Sequence, residues 1–251
     1  MIIEEGKFKY IESSPGKEVV LLLHGLFGAL SNFEAIIDKF GDQYNVVVPI
    51  LPIYDMPLQK LGIGGLVKHV EEFIEYKNYG KVNALGNSLG GHIGLVLTFG
   101  RPDLVKTLTL TGSSGLYESA MGNTFPKRGD YDFITKKTQA TFYRPEVATK
   151  ALIDEVYDIV NDRSKGIRVV VTAKSAVRNN VESSLHLIKC PVLIIWGKED
   201  IVTPSFVGEK FNTLIPHSEL YILDECGHAP MMEKPEQFND LLLDFLKRHA
   251  D

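Results

Sequence analysis

The 251-residue chain lacks several features that would define its class at once. It has no stretch of 18 apolar residues, so no membrane span is expected. The first residues, "MIIEEGKFKYIESS", are charged and carry no apolar core of a secretory signal, so the expected location is cytoplasmic. Only two cysteines occur, Cys190 and Cys226, with neither a metal-ligand spacing nor a CxxC pair. They read as two reduced, mostly buried thiols. Basic runs are missing too. With a net charge of −5, nucleic acid and anionic membranes are poor partners. Internal repeats and low-complexity tracts are also absent. What remains is 44% hydrophobic and 24% charged, the balance of a globular chain long enough to bury a core without disulfides.

Strand-like runs alternate with helical patterns along most of the chain, the signature of a parallel sheet with helices on both faces. "EVVLLLH", "NVVVPI", "KVNALGN", "LVKTLTLTG" and "CPVLIIWG" are near-continuous apolar runs, as expected of strands covered on both sides. "KFKYIES" reads as an early edge strand and "ELYILDE" as a short last one. "GGLVKHVEEFIEY" and "PEQFNDLLLDFLKRH" space their apolar residues as amphipathic helices do. Residues 113–187 break the alternation. They hold helical patterns such as "RPEVATKALIDEVYDIVNDRSK" and no long buried strand, and "IRVVVTAKSAVRNN" also leans towards helix. This stretch is too long for a plain loop. It divides the chain into a core, 1–112 and 188–251, and a helical lid, 113–187.

The chemistry centres on "VNALGNSLGGHIGLVLTF". Ser88 lies between Gly86 and Gly90, after a strand and at the start of a helix. A nucleophile on so tight a turn needs glycine two residues away on either side, because side chains there would strike backbone. The turn also sets the serine at a helix N-terminus, where free N–H groups favour developing negative charge. A serine hydroxyl needs a base, and the base needs an acid to orient it. Of seven histidines, His228 in "DECGHAPMMEKPEQF" follows the last strand on a shaped loop. His24 and His92 are alternatives with structural roles to hand, and His69, His186, His217 and His249 read as surface residues. Asp200 in "LIIWGKEDIVTP" is the candidate acid, with Glu199 its near competitor and Asp224 less suited. In "LLLHGLFGALSNF", Gly25 and Gly28 let the chain bend. The candidate oxyanion donors are the backbone N–H groups of Leu26 and Leu89, with Phe27 in place of Leu26 as the alternative.

Together "HGLFG", "GNSLGG", "GKEDIVTP" and "GHAPMMEKPEQF" resemble the motifs of the α/β-hydrolase superfamily across the chain outside the lid. The resemblance implies an α/β-hydrolase fold with a mostly parallel eight-stranded sheet and a helical lid after the sixth strand. It also implies acyl-enzyme chemistry with Ser88 as nucleophile, Asp200 as acid and His228 as base. No metal or organic cofactor is called for. The partner is a small-molecule acyl substrate, and the oligomeric state is not legible. Serine, not aspartate, at the elbow disfavours epoxide and carbon–halogen cleavage and suits esters or thioesters. "GNSLGG" is also similar to the elbow of meta-cleavage-product hydrolases, which split carbon–carbon bonds of dienoate diketones and use a lid arginine for the substrate carboxylate. Arg163 matches that role. Against this stand the oxyanion loop "HGLFGAL", which is poorer in glycine, and "APMM" where those enzymes have tryptophan. Phe27, Asn87, Arg163 and Met231 are the candidate substrate contacts. Met232 and the lid residues Leu116, Tyr117, Phe125, Phe133, Phe142 and Tyr143 are further pocket candidates. A non-catalytic small-molecule binder of the same fold is the alternative from another class.

Overall fold

The computed structural model describes residues 1–28, 33–117 and 127–250; Phe125 lies outside them. Eight strands form one sheet: β1 (Ile3–Glu5), β2 (Phe8–Glu12), β3 (Val19–Leu23), β4 (Asn45–Pro49), β5 (Val82–Asn87), β6 (Val105–Thr111), β7 (Val192–Gly197) and β8 (Ser218–Leu223). Their order is β1-β2-β4-β3-β5-β6-β7-β8. The β1/β2 and β2/β4 pairs are antiparallel and the rest parallel. β1 has no counterpart in the sequence reading, being three residues paired to β2 through a two-residue turn.

Alternation along each central strand sends side chains to two separate cores. Val19, Leu21 and Leu23 of β3 join one, and Val20 and Leu22 the other. Val192, Ile194 and Trp196 of β7 face the first core, while Leu193 and Ile195 face the second. Helices α2 (Ile63–Lys77) and α3 (Leu89–Gly100) bring Leu66, Val70, Phe73, Ile93 and Leu97 to the first core. The second is covered by α1 (Glu34–Phe40) and by the C-terminal helix Pro235–Arg248, through Ile36, Phe40, Phe238, Leu242 and Phe245. Each such side chain, fully buried, contributes about 1.5–3 kcal/mol.

Between β6 and β7 the chain forms α4 (Tyr131–Gln139), α5 (Lys150–Asn161) and α6 (Arg163–Arg178), with 3₁₀ turns at Pro145–Val147 and Glu182–Leu187. The ambiguous stretch from Ile167 is therefore helix. The helical pattern read across residues 144–165 contains a break. Asp162 adopts an extended conformation and caps α6, its carboxylate accepting from the N–H groups of Ser164 and Lys165. α4 packs on α5, α5 on α6, and α6 reaches back to α2. After β7 follow α7 (Ser205–Leu214), then β8, the single-turn α8 (Pro230–Glu233) and α9 (Pro235–Arg248). Among the described residues no helix is long and apolar enough to cross a membrane.

His69 corrects an expectation. It is 7% exposed, with its ring 5.1 Å from that of Phe8. Its position continues the Leu66–Val70–Phe73 stripe of α2. His92 is wholly buried in α3, bonded to the Asn179 carbonyl at 2.8 Å. Burial holds both imidazoles down at about 4, against 6.5 when free. A histidine whose folded pKa is depressed costs stability as the pH falls, because the unfolded chain binds the proton first. Stability should therefore drop between about pH 6.5 and about pH 4, with His92 accounting for about 3 kcal/mol of the loss. Urea unfolding at several pH values checks this: His92→Gln should flatten the slope, and an unchanged slope would refute it.

Candidate active site

Ser88 joins β5 to α3 with φ 54° and ψ −117°, a left-handed conformation that costs a non-glycine residue about 1–3 kcal/mol. The surroundings hold it there. Its N–H donates to the Thr111 carbonyl at 3.1 Å, and its own carbonyl accepts from Ser114 N–H at 3.1 Å. The flanking glycines are steric necessities. A Cβ on Gly86 would lie 2.4 Å from Gly90 backbone, and one on Gly90 would lie 1.9 Å from the Leu23 carbonyl oxygen. As the first residue of α3, Leu89 has an N–H with no carbonyl of its own helix to reach.

The loop after β3 turns at Gly25–Gly28, closed by Gly28 N–H to the Gly25 carbonyl at 3.1 Å. Leu26 and Phe27 sit at its corners, and both line the same cavity as Ser88. The turn lies against the serine: a Cβ on Gly25 would be 3.4 Å from Ser88 Cβ. The Tyr54 hydroxyl donates to the Leu26 carbonyl at 3.3 Å.

His228 lies on the loop between β8 and α8, 7% exposed. Its Nδ1 is 2.9 Å from Asp200 Oδ2. Asp200, on the turn after β7 and 4% exposed, has both oxygens engaged. Oδ1 accepts from the N–H groups of Val202 and Thr203 at 2.8 and 2.9 Å. Oδ2 takes the Thr203 hydroxyl at 2.9 Å as well as the imidazole. Thr203 is itself fixed by the buried indole N–H of Trp196, which donates to its carbonyl at 2.7 Å. Gly112, at φ 52°, makes room for the ring: a Cβ there would lie 2.8 Å from His228 Nδ1.

The competing acids are engaged elsewhere. Glu199 accepts from Cys226 N–H, and Asp224 pairs with Lys198 at the surface. His24 is buried and structural: its Nε2 accepts from Leu51 N–H at 3.0 Å, and burial lowers its pKa. Both cysteines are free thiols, and burial pushes Cys190 up to about 11.

Ser88 and His228 open onto a cavity of about 1030 Å³ beneath α4–α6. Its wall is largely apolar, with Ile134, Phe142, Leu152, Val156, Val160 and Val170 among its members. Arg128, Lys137, Asp162 and Arg163 also border it. Asn87 lines it too, yet its amide donates to the carbonyls of Thr111 at 3.1 Å and His228 at 3.2 Å, tying the elbow to the histidine loop. Met231 does not line it. The turn of α8 sends Met231 into the second core, 1% exposed, and leaves Met232 at the cavity. Of the expected aromatic wall, Phe142 alone is among the described lining residues. Tyr117 stacks edge-on against Phe206 instead, at 5.3 Å. Sequence reasoning missed Thr203 and Gly112, which meet His228 only in three dimensions.

A mostly parallel sheet thus carries a serine elbow at one strand end and a His–Asp pair beyond two others. The model of the alpha/beta hydrolase fold family matches residues 18–144 and 123–235, and the chain belongs to that family. A solved α/β hydrolase, MGS-MChE2 from a sediment metagenome of the Mar Chica lagoon, Morocco, is 41% identical with a TM-score of 0.82, each chain covered in full. The 2-hydroxy-6-oxo-6-(2'-aminophenyl)hexa-2,4-dienoic acid hydrolase of Metapseudomonas resinovorans is 29% identical over 97% of this chain and 88% of its own length. Monoacylglycerol lipase ABHD6 of Bos taurus is 26% identical over 97% of this chain and 80% of its own.

Proposed function

We propose that this protein is a serine hydrolase that cleaves carboxylic esters or thioesters of small to medium apolar acyl groups. The observation that carries the reading is the 2.9 Å bond between His228 Nδ1 and Asp200, made beside a serine held in a strained elbow on the same cavity. With Nδ1–H given to the carboxylate, Nε2 is the imidazole nitrogen left to accept a proton. Ser88 Oγ attacks the substrate carbonyl as its proton passes to His228 Nε2. The tetrahedral oxyanion is held by the N–H of Leu89 and that of Leu26, or of Phe27 in its place. Each such donor stabilises the transition state by about 2.7–4 kcal/mol. The imidazolium returns the proton to the departing alcohol or thiol, leaving an acyl-serine. A water, deprotonated by the same nitrogen, then releases the acid and restores Ser88. Residues 113–187 act as the lid, and α4–α6 wall the acyl group from water. At about 1030 Å³ the cavity is just above the range of ordinary ligand sites, about 300–1,000 Å³.

A second reading, carbon–carbon hydrolysis of a dienoate diketone, is favoured by the cations Arg128, Lys137 and Arg163 at the cavity, which suit a substrate carboxylate. The named activity of the Metapseudomonas resinovorans relative is in line with it. A turnover panel separates the two. Short, medium and long acyl p-nitrophenyl esters, matching thioesters and a 2-hydroxy-6-oxo-dienoate are compared by kcat/KM. The ester reading expects the medium acyl esters to be turned over best. Turnover of the dienoate alone would replace it with the second reading.

A further inference from the structure

The loop that carries His228 is bonded to the helical stretch above it as well as to the sheet. Glu233, the last residue of α8, is 1% exposed. Its Oε1 accepts from Gly227 N–H at 2.9 Å and its Oε2 from Tyr143 N–H at 2.7 Å. Gly227 immediately precedes the histidine, and Tyr143 lies on the strap that leaves α4. The same strap makes two more bonds to this region. His228 N–H donates to the Thr141 carbonyl at 3.0 Å, and the Arg144 guanidinium donates to the Glu233 carbonyl at 2.6 Å. The fit is close: a Cβ on Gly227 would lie 2.7 Å from the Thr141 oxygen and 2.8 Å from Tyr143 N. Burial raises the Glu233 pKa and the surrounding amide donors oppose the rise.

We propose that Glu233 is a positioning residue whose carboxylate locks the His228 loop to residues 141–144, so that seating this strap and placing the imidazole are one event. The inference rests on His228 as the general base. A carboxylate suits the task because it accepts at both oxygens, where two amides from distant segments converge. A glutamine keeps one acceptor and sets its NH₂ against the other amide. Alanine leaves both amides buried without partners. Loosening this lock shifts the imidazole relative to Ser88, and a displacement of about 1 Å in such a pair can cost about 10²-fold in rate.

The test measures kcat, KM and far-UV circular dichroism for wild type, Glu233→Gln, Glu233→Ala and Ser88→Ala on a p-nitrophenyl ester. Glu233→Gln should fold and lose about tenfold to 10²-fold in kcat with KM held within about threefold, and Glu233→Ala should lose more. A folded Glu233→Gln with kcat within about twofold of wild type, or with only its KM or melting temperature changed, overturns the proposal. Should neither Glu233 variant fold, amide hydrogen exchange of the wild-type protein decides. Gly227, His228 and Tyr143 should be protected to the same degree, and fast exchange at Gly227 and His228 beside a protected Tyr143 overturns the lock. Ser88→Ala separates the two layers. Wild-type turnover in that variant removes the hydrolase reading itself, whereas lost turnover there with normal Glu233→Gln kinetics removes the lock alone.

Discussion

Ser88→Ala should lower kcat for a p-nitrophenyl ester by about 10⁶-fold, the scale on which removal of a serine nucleophile acts. The hydroxyl is the group the proposed chemistry uses, and nothing else on the elbow replaces it. The fold should persist, because the bonds that hold the turn come from the Ser88 backbone. The strain should persist too, since alanine keeps the Cβ that makes φ 54° unfavourable. Ser88→Gly should lose the same activity yet be more stable than Ser88→Ala by about 1 kcal/mol, because glycine adopts that conformation freely. Matched kinetics and thermal melts of the two variants read both effects. Turnover of Ser88→Ala within about tenfold of wild type would remove the serine from the mechanism, and equal melting of the pair would remove the strain.

That the serine sits on a tight turn was legible in the sequence, because the glycine spacing that marks it is local. Gly86 and Gly90 lie two residues from it, and the clashes their side chains would cause are with the neighbouring turn and strand. The central strands were equally legible. β3, β4, β5 and β7 are buried at every position, so their runs read as near-continuously apolar, with Asn45, Asn83 and Asn87 the buried polar exceptions. β1 was not, because three residues offer no periodicity to read. Nor was the break at Asp162 read: the helical pattern runs across it to Lys165, although residues 161–166 carry no apolar side chain and Asp162 is a residue type that caps helices.

His69 marks a different failure. It was read as a surface residue, while its spacing from Leu66 and Phe73 already placed it on the buried stripe. Met231 and Met232 could not be told apart before the turn of α8 was seen. Glu233 carried no assignment in the sequence. Its function as a bridge depends on Gly227 and Tyr143, the latter 90 residues away in sequence. Thr203 is the same kind of case: it stands three residues from Asp200, but its value lies in which oxygen of that carboxylate its hydroxyl meets.

That arrangement of donors sets the outcome of Asp200→Asn, which should lower kcat by about 10⁴-fold with little change in structure. Two backbone N–H groups, from Val202 and Thr203, converge on Oδ1, so that position must stay an acceptor. The asparagine amide nitrogen is therefore driven to the Oδ2 position, facing Thr203 Oγ1 and His228 Nδ1. The threonine hydroxyl can rotate and accept. The imidazole has one way to comply: Nδ1 becomes the acceptor and the ring proton moves to Nε2. An imidazole protonated at Nε2 cannot take the proton of Ser88, and without the carboxylate its cationic form loses its counter-charge. Asp200→Ala, which imposes no tautomer but leaves the ring unoriented, should retain more activity than Asp200→Asn. Equal activity of the two variants would refute the tautomer argument, and turnover of Asp200→Asn within about tenfold of wild type would remove Asp200 from its place behind the imidazole.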